Sequence, residues 1–248
     1  DDREMQEMKN YLIAGASSGI GRGVAKMLSD DNTTIILVAR EEEKLKRVQE
    51  ELSGDSIVIS CDVTNNEDIK RVFDKLETEK IKLDGLVYCA GMCFLKTLKM
   101  MKSSDLENMF RVNVFGFYEM CRYFSKVSVS NRNASIVGIS SYAAVTKEAG
   151  LSAYAMSKGA LDIQVQALSK EFLRRKIRIN SVVPARVKSK MDSDNNDWTD
   201  EEIALVNEKH PLGIIPIDDV VKAIGFLMSD DARHITGECL CISSGYHS

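Results

Sequence analysis

The sequence predicts a doubly wound α/β fold: one domain, with a seven-stranded parallel sheet covered by helices on both faces. Three observations carry this prediction. Seven short apolar runs, most of them rich in Val and Ile, alternate with stretches patterned as amphipathic helices, the order that parallel strands and crossover helices require. A glycine-rich segment stands between the first apolar run and the first helical stretch. No Pro-rich or Gly/Ser-rich linker and no internal repeat divides the 248 residues, and all three prolines fall after residue 183, so a single domain is the simplest partition.

Taken in order, strands are expected over 11–14, 35–39, 57–61, 85–89, 135–140, 178–183 and 238–242. Each is a short apolar run of the kind buried between two helical layers. Helices are expected over 21–29, 41–52, 66–77, 103–124, 154–175 and 218–228, with their apolar stripes against the sheet. The segment 187–213 is the least regular. Its polar centre, Asp192–Asp200, is long for a strand-to-helix connection, and such loops often serve as substrate lids.

Composition narrows the function classes. The chain is 44% hydrophobic and 28% charged, enough apolar material for a sizeable core. Its 33 basic and 37 acidic residues give a net charge of −4 and are interspersed, so neither a nucleic-acid footprint nor a membrane-binding one is present. Cys61, Cys89, Cys93, Cys121, Cys239 and Cys241 form no C-x-x-C pair and lie near no histidine at metal-ligand spacing, and no metal site is expected. Nothing near the first residues resembles a signal peptide or a membrane span, so the expected setting is a reducing, cytoplasmic one.

The segment Gly15-Ala16-Ser17-Ser18-Gly19-Ile20-Gly21 follows the first strand and opens the first helix. Its glycines permit a tight turn and close backbone approach to a pyrophosphate, which the free N–H groups of the helix start would receive. After the second strand an acid commonly accepts from the ribose of NAD, but here the strand ends Val38-Ala39-Arg40. Arg40 suits a 2′-phosphate, hence NADP(H), unless it is simply a surface arginine complementing Glu41–Glu43. Asp62-Val63 follows the third strand, where Asp62 would either accept from an adenine amino group or cap the next helix.

Tyr154 and Lys158 stand at i and i+4 on one helix face. A free phenol has a pKa of about 10, and a neighbouring cation lowers it toward useful proton exchange. With this glycine turn and this Tyr–Lys pair, the chain resembles the short-chain dehydrogenase/reductase family from Tyr11 to Gly245. The glycine turn, Asp62-Val63, Cys89-Ala90-Gly91, Asn113, Ser141 thirteen residues before Tyr154, Lys158 and Asn180-Ser-Val-Val-Pro184 all fall in the family's order.

The resemblance implies a single Rossmann-type domain and a set of roles. Ser141 would hold the substrate oxygen, Tyr154 would give or take its proton, and Lys158 would also hold the ribose hydroxyls. Asn113 would bind a water linking Lys158 to solvent. Ala90, Gly91 and Pro184 belong to the cofactor motifs, and Val187 and Ser189 would contact the nicotinamide amide and the pyrophosphate. Among family members the chain is most like 3-oxoacyl-carrier-protein reductases, implying a ketone or an acyl-carrier-linked carbonyl as substrate. Arginines matching Arg132 and Arg175 would dock the carrier. A sugar, sterol or secondary metabolite is the alternative substrate, and a catalytically idle NADP-binding regulator the alternative class.

The helices at 103–124 and 154–175 are expected to pair with symmetry mates in a homodimer or homotetramer. The substrate pocket is expected to draw on 92–95, 142–151 and 191–213, with Met92, Phe94, Met191 and Trp198 apolar and Lys147 and Glu148 polar. Three departures stand out: Ala14 replaces a threonine, Cys89 an asparagine, and Ala185 a glycine, the last a restriction if that position needs a positive φ.

Overall fold

The structure is a computed structural model that describes residues 8–188, 204 and 208–246. Its strands are β1 (Lys9–Ala14), β2 (Thr33–Ala39), β3 (Asp55–Ser60), β4 (Leu83–Tyr88), β5 (Ser130–Ile139), β6 (Arg178–Pro184) and β7 (Cys239–Ile242). All pair in parallel, in the order β3-β2-β1-β4-β5-β6-β7. The predicted seven-stranded, doubly wound sheet is therefore borne out. The largest boundary difference is at β5, which begins at Ser130 rather than 135. Its first residues, Ser-Asn-Arg-Asn, are polar, and the register against β4 shifts between Leu83 and Gly85, so no apolar run marks this start.

Helices α1 (Gly19–Leu28), α2 (Glu42–Gln49), α3 (Asn66–Thr78), α4 (Ser103–Phe110), α5 (Gly116–Phe124), α6 (Ala143–Thr146), α7 (Ser152–Phe172) and α8 (Ile217–Met228) cover the sheet. In α3, the Asn65 side chain accepts from the Glu67 N–H at 2.9 Å, and Glu67 and Asp68 follow in the first turn, where the helix dipole favours acids. Ile69, Val72, Phe73 and Leu76 form its buried stripe. The predicted helix 103–124 is interrupted: Arg111–Phe115 is a π-helical segment between α4 and α5, and the Gly116 N–H reaches back to the Arg111 carbonyl. Neighbouring carbonyls take side-chain donors instead, Val112 from Tyr88 Oη at 2.5 Å and Val114 from Gln164 Nε2 at 3.3 Å. Such bulges carry no hydrophobic period of their own.

Alternation along the strands splits the core into two layers. Leu12, Ala14, Ile36, Val38, Leu86, Tyr88, Ile136 and Ile179 pack toward α3, α5 and α7. Tyr11, Ile13, Ile35, Leu37, Val87, Val137 and Val182 pack toward α1, α2 and α8. Each fully buried aliphatic side chain contributes about 1.5–3 kcal/mol relative to exposure. Strand order reverses between β1 and β4, which opens a crevice at the carboxyl ends of the strands.

Candidate active site

The predicted site residues gather along that crevice because each follows a strand end: Gly15 after β1, Arg40 after β2, Asp62 after β3, Ala90 after β4, Ser141 after β5 and Ala185 after β6. The glycine turn is hooked onto β2, with the Gly15 and Ala16 N–H groups donating to the Val38 carbonyl at 2.8 and 3.2 Å. Gly15 has φ +81°, and a Cβ there would lie 2.6 Å from the Ala90 nitrogen. A Cβ on Gly21 would meet the Gly15 carbonyl oxygen at 2.2 Å. Gly19, at φ +54°, has nothing within 4 Å of its Cβ position, so the turn is open there. Ser18 caps α1 without a side-chain bond, and α1 has no acid in its first turn, whereas α2, α3 and α8 each begin with two. The start of α1 is thus an uncapped, unneutralised set of donors, suited to a pyrophosphate. Ser17, Ser18 and Gly15 share a cavity with Arg40, Asp62, Val63, Ala90 and Gly91, and Ile20 faces the adjoining space beside Tyr154 and Lys158.

Arg40 is exposed on the rim of that cavity. The acids that follow it are engaged along their own helix: Glu41 with Lys44 at 2.7 Å, and Glu42 and Glu43 with Lys46 at 2.9 and 3.3 Å. Asp62 does not cap α3, since Asn65 does; its Oδ1 accepts from the Thr64 N–H at 2.9 Å and hydroxyl at 2.8 Å.

α7 places Tyr154 and Lys158 one turn apart beneath the end of β5. The Ser141 and Tyr154 hydroxyl groups line the same cavity. Burial pushes the Tyr154 phenol above its ordinary pKa, and Ser141 pulls it partly back. Lys158 is buried, donates from Nζ to the Ile139 carbonyl at 2.6 Å, and lies 5.8 Å from the Tyr154 ring centroid. Burial lowers its pKa to about 8, opposed by Asp162, Cys89 and Cys93.

Asn113 sits in the π segment with its amide committed. Nδ2 donates to the Met92 carbonyl and the Ser157 hydroxyl, each at 2.9 Å, and Oδ1 accepts from the Met92 N–H at 2.8 Å. It clamps the loop after β4 to α7. The three departures are mild in backbone terms. Ala14 is buried and its carbonyl accepts the Cys89 N–H at 2.8 Å, so the β1–β4 ladder continues. Burial pushes the Cys89 thiol up to about 12. Ala185 is not among the non-glycine residues with positive φ, so it carries no left-handed strain.

Outward from Ser141 and Tyr154 lies a cavity of about 350 Å³ bounded by Cys93, Tyr142, Glu148 and His210. Arg186 and Tyr246, absent from the sequence-derived list, also line it. Tyr246 donates its hydroxyl to Glu148 and packs edge-on against His210 and Tyr142, with centroids at 4.8 and 5.8 Å. Neither was findable from the sequence, since both reach the site only through the fold. Met92 lines the cofactor crevice, whereas Phe94 lies under Lys96 at 4.9 Å and Lys147 ends α6 in a left-handed conformation. Val187 forms a parallel bridge with Ile215, joining the two stems of the expected lid. Ser189, Met191 and Trp198 lie outside the described residues.

Arg132 and Arg175 do not sit at the site entrance of this chain. Arg132 is near the start of β5, and Arg175 donates to the Ser125 and Lys126 carbonyls at 3.0 and 3.1 Å and to Ser130. That is the amino edge of the sheet, at the opposite end of β5 from Ser141, and Arg175 spends its donors on holding a turn. Among the described residues no helix is long and apolar enough to cross a membrane, and no group of His, Cys, Asp and Glu could hold a metal ion.

A helix start with free donors at a topological switch point, with hydroxyl groups and a buried ammonium on the adjoining cavity, defines a dinucleotide-dependent oxidoreductase of the doubly wound class. Known proteins narrow the class. Residues 15–247 match the family described as enoyl-(acyl carrier protein) reductase. The 3-oxoacyl-[acyl-carrier-protein] reductases of Bos taurus and Rickettsia felis are 30% and 32% identical over 238 residues, covering 96% of this chain and 97% and 96% of theirs. L-xylulose reductase of Caenorhabditis elegans is 31% identical over 242 residues, 96% of this chain and 95% of its own. A short-chain dehydrogenase/reductase structure from Mycobacterium ulcerans is 25% identical with a TM-score of 0.85, covering 96% of this chain and 90% of that one. The chain belongs to the short-chain dehydrogenase/reductase family, whose members act on CH–OH and C=O groups with a nicotinamide dinucleotide.

Proposed function

We propose that the chain uses NADPH to reduce a ketone to a secondary alcohol, the substrate being a 3-oxoacyl thioester on an acyl carrier. The observation that carries this reading is the Ser141–Tyr154 hydroxyl pair at the floor of a substrate-sized cavity, with Lys158 buried beside it. Ser141 orients the carbonyl oxygen and Tyr154 gives it a proton. Because burial raises the phenol's pKa, Tyr154 stays protonated near neutrality, as an acid for reduction must. The cofactor, when bound, supplies hydride to the carbonyl carbon.

Gly15, Ser17, Ser18, Gly19, Ile20 and Gly21 would receive the pyrophosphate. Asp62, Val63, Ala90 and Gly91 would flank the adenosine half, with Lys158 on the ribose and Pro184, Val187 and Ser189 along the nicotinamide. Asn113 holds the wall between these halves, and a water relaying protons to Lys158 is left to its main chain, since its amide is occupied. We read 187–213 as the substrate lid, an assignment supported by the stem contact between Val187 and Ile215. Six free thiols support a reducing, cytoplasmic setting.

An NADPH absorbance assay with acyl thioesters, sugars and diketones tests the substrate. A thioester should give the highest kcat/KM. A sugar reductase is the second reading, favoured by the polar wall of Glu148, Arg186 and Lys209, and a sugar leading the panel would select it.

Cofactor choice turns on Arg40. Glu41–Glu43 are occupied by lysines of their own helix, so Arg40 is left to pair a 2′-phosphate. NADPH should bind roughly tenfold or more tightly than NADH, the low end for an exposed charge-assisted contact. Fluorescence titration should show this preference reversed in an Ala39→Asp, Arg40→Ile double variant. A wild type preferring NADH rules the assignment out.

Assembly as a homodimer or homotetramer is supported by apolar groups left outside the protomer: Phe115 and Tyr118 around α5, at 54% and 47% exposure, and Met156 and Ile163 on α7, at 52% and 66%. Light scattering should give a multiple of 27.6 kDa at micromolar concentration, and Phe115→Glu with Ile163→Glu should reduce it to the single-chain mass. A fully active monomer would exclude this assembly.

A further inference from the structure

One charged group close to the acid–base cluster has no part in the chemistry above. Asp162 follows Lys158 by one turn of α7, and the sheet offers it polar groups. Ser140 donates to its Oδ2 at 2.8 Å and Ser181 to its Oδ1 at 2.7 Å, and the Cys239 thiol stands beside it. Ser181 pairs in register with Cys239 on β7 and with Gly138 on β5, so Ser140, Ser181 and Cys239 stand on the sheet face that α7 covers. Burying a carboxylate between a helix and a sheet is costly unless its lone pairs are filled, and Ser140 after β5 and Ser181 within β6 fill them.

Ser140 ties this carboxylate to the reacting groups. Its hydroxyl oxygen also lies 3.3 Å from the Lys158 main-chain carbonyl. On one side of it, Ile139 accepts from Lys158 Nζ at 2.6 Å; on the other, Ser141 lines the same cavity as the Tyr154 phenol. The residue anchored by Asp162 is therefore flanked by one that holds the ammonium and one that shares the phenol's cavity.

We propose that Asp162 is a positioning residue for the acid–base cluster, anchoring the end of β5 through Ser140 and setting a carboxylate one helical turn from Lys158. The consequence for turnover rests on Tyr154 and Lys158 acting as proposed above, while the electrostatic consequence does not. The titratable groups facing Lys158 are Asp162 on its own helix, Cys89 and Cys93 after β4, and the Tyr154 phenol; those facing Asp162 are Lys158, Cys239 and Cys241. Burial draws Lys158 down to about 8, and Asp162 is the largest influence opposing it. Burial also raises Asp162 above the ordinary carboxylate range, while Ser181 and Ser140 pull it back.

The test is ¹³C NMR titration of lysine-labelled, cofactor-free protein, with the Lys158 signal assigned from a Lys158→Arg variant. Asp162→Asn keeps the side-chain shape and removes the charge, so Lys158 should hold its proton roughly tenfold more weakly and titrate at lower pH. Ser140→Ala keeps the charge and cuts the tether, so Lys158 should titrate as in the wild type. On an active ketone, Asp162→Asn should move the alkaline limb of the kcat profile to lower pH, whereas Ser140→Ala should lower kcat with little change in KM. If Asp162→Asn does not fold, Asp162→Glu keeps the charge and Asp162→Ser removes it in a smaller polar side chain, and only the latter should lower the pH at which Lys158 titrates. Identical Lys158 titrations in the wild type and the charge-altered variant would overturn the proposal. A protein that reduces no ketone at all would fail the functional reading and leave the NMR result to decide this one.

Discussion

Tyr154→Phe should lower kcat on any active ketone by about 10²–10⁴-fold, the usual contribution of a positioned proton donor, and leave cofactor affinity nearly unchanged. The substitution removes one oxygen from a side chain that is otherwise held by its place on α7 and by burial. Ser141 would still be present to orient the carbonyl, and Lys158 would keep its bond to Ile139, so the loss falls on the proton alone. A signature accompanies the drop: with the phenol gone, the remaining rate should no longer change with pH where the phenol titrates. Stopped-flow reduction and fluorescence titration of the reduced cofactor measure the two halves. Wild-type turnover in this variant would mean that another group supplies the proton.

Gly15→Ala should be strongly damaging, and Gly19→Ala only mildly so, although both glycines have positive φ. At Gly15 the added carbon would sit 2.6 Å from the Ala90 nitrogen and 2.8 Å from the Cys89 carbonyl carbon, rigid main chain on the neighbouring strand end. A strained left-handed backbone costs about 1–3 kcal/mol, and relief of the clash requires β1 and the β4 loop to part. That loop is the one Asn113 clamps through Met92, so the displacement passes into the cofactor crevice. Misplacement by about 1 Å can cost 10²-fold, and cofactor affinity should fall by that order together with a lower Tm. At Gly19 nothing stands within 4 Å, so only the conformational cost of about 1–2 kcal/mol applies. Equal losses in the two variants, by calorimetry and cofactor titration, would show that the Gly15–Ala90 approach has no functional weight.

Most of the sheet could be read from the sequence because its central strands β1, β2, β4 and β6 are buried on both faces and so appear as unbroken apolar runs. The start of β5 could not, since Ser130–Asn133 joins the sheet through main-chain pairing at a polar edge. The π segment was equally silent: one backbone bond from Gly116 to Arg111 changes its class without changing residue types. The site followed the same division. Gly15, Arg40, Asp62, Ser141 and Tyr154 lie at strand ends or on one helix face, where local order predicts position. Arg186 and Tyr246 reach the cavity from distant segments, and Asp162 reads in the sequence as an ordinary acid on a helix until Ser140 and Ser181 are seen to converge on it. Arg132 and Arg175 err the other way, because family position placed them near an entrance while β5 carries them to the opposite edge.

The strand order also governs how the chain reaches this state. β1 lies between β2 and β4, with Tyr11 opposite both Ile35 and Gly85, and every adjacent pair is joined through a crossover, with no hairpin to start the sheet. Pairings this distant make for slow folding. On a ribosome, β3-β2-β1-β4 is complete long before β5 emerges, and the newly formed half-sheet presents β4, Leu83–Tyr88, as an open apolar edge. Open edges of this kind recruit other nascent chains. Soluble yield should therefore be limited by the interval between β4 and β5, and should rise when expression is cooled or a chaperone is supplied to cover that edge.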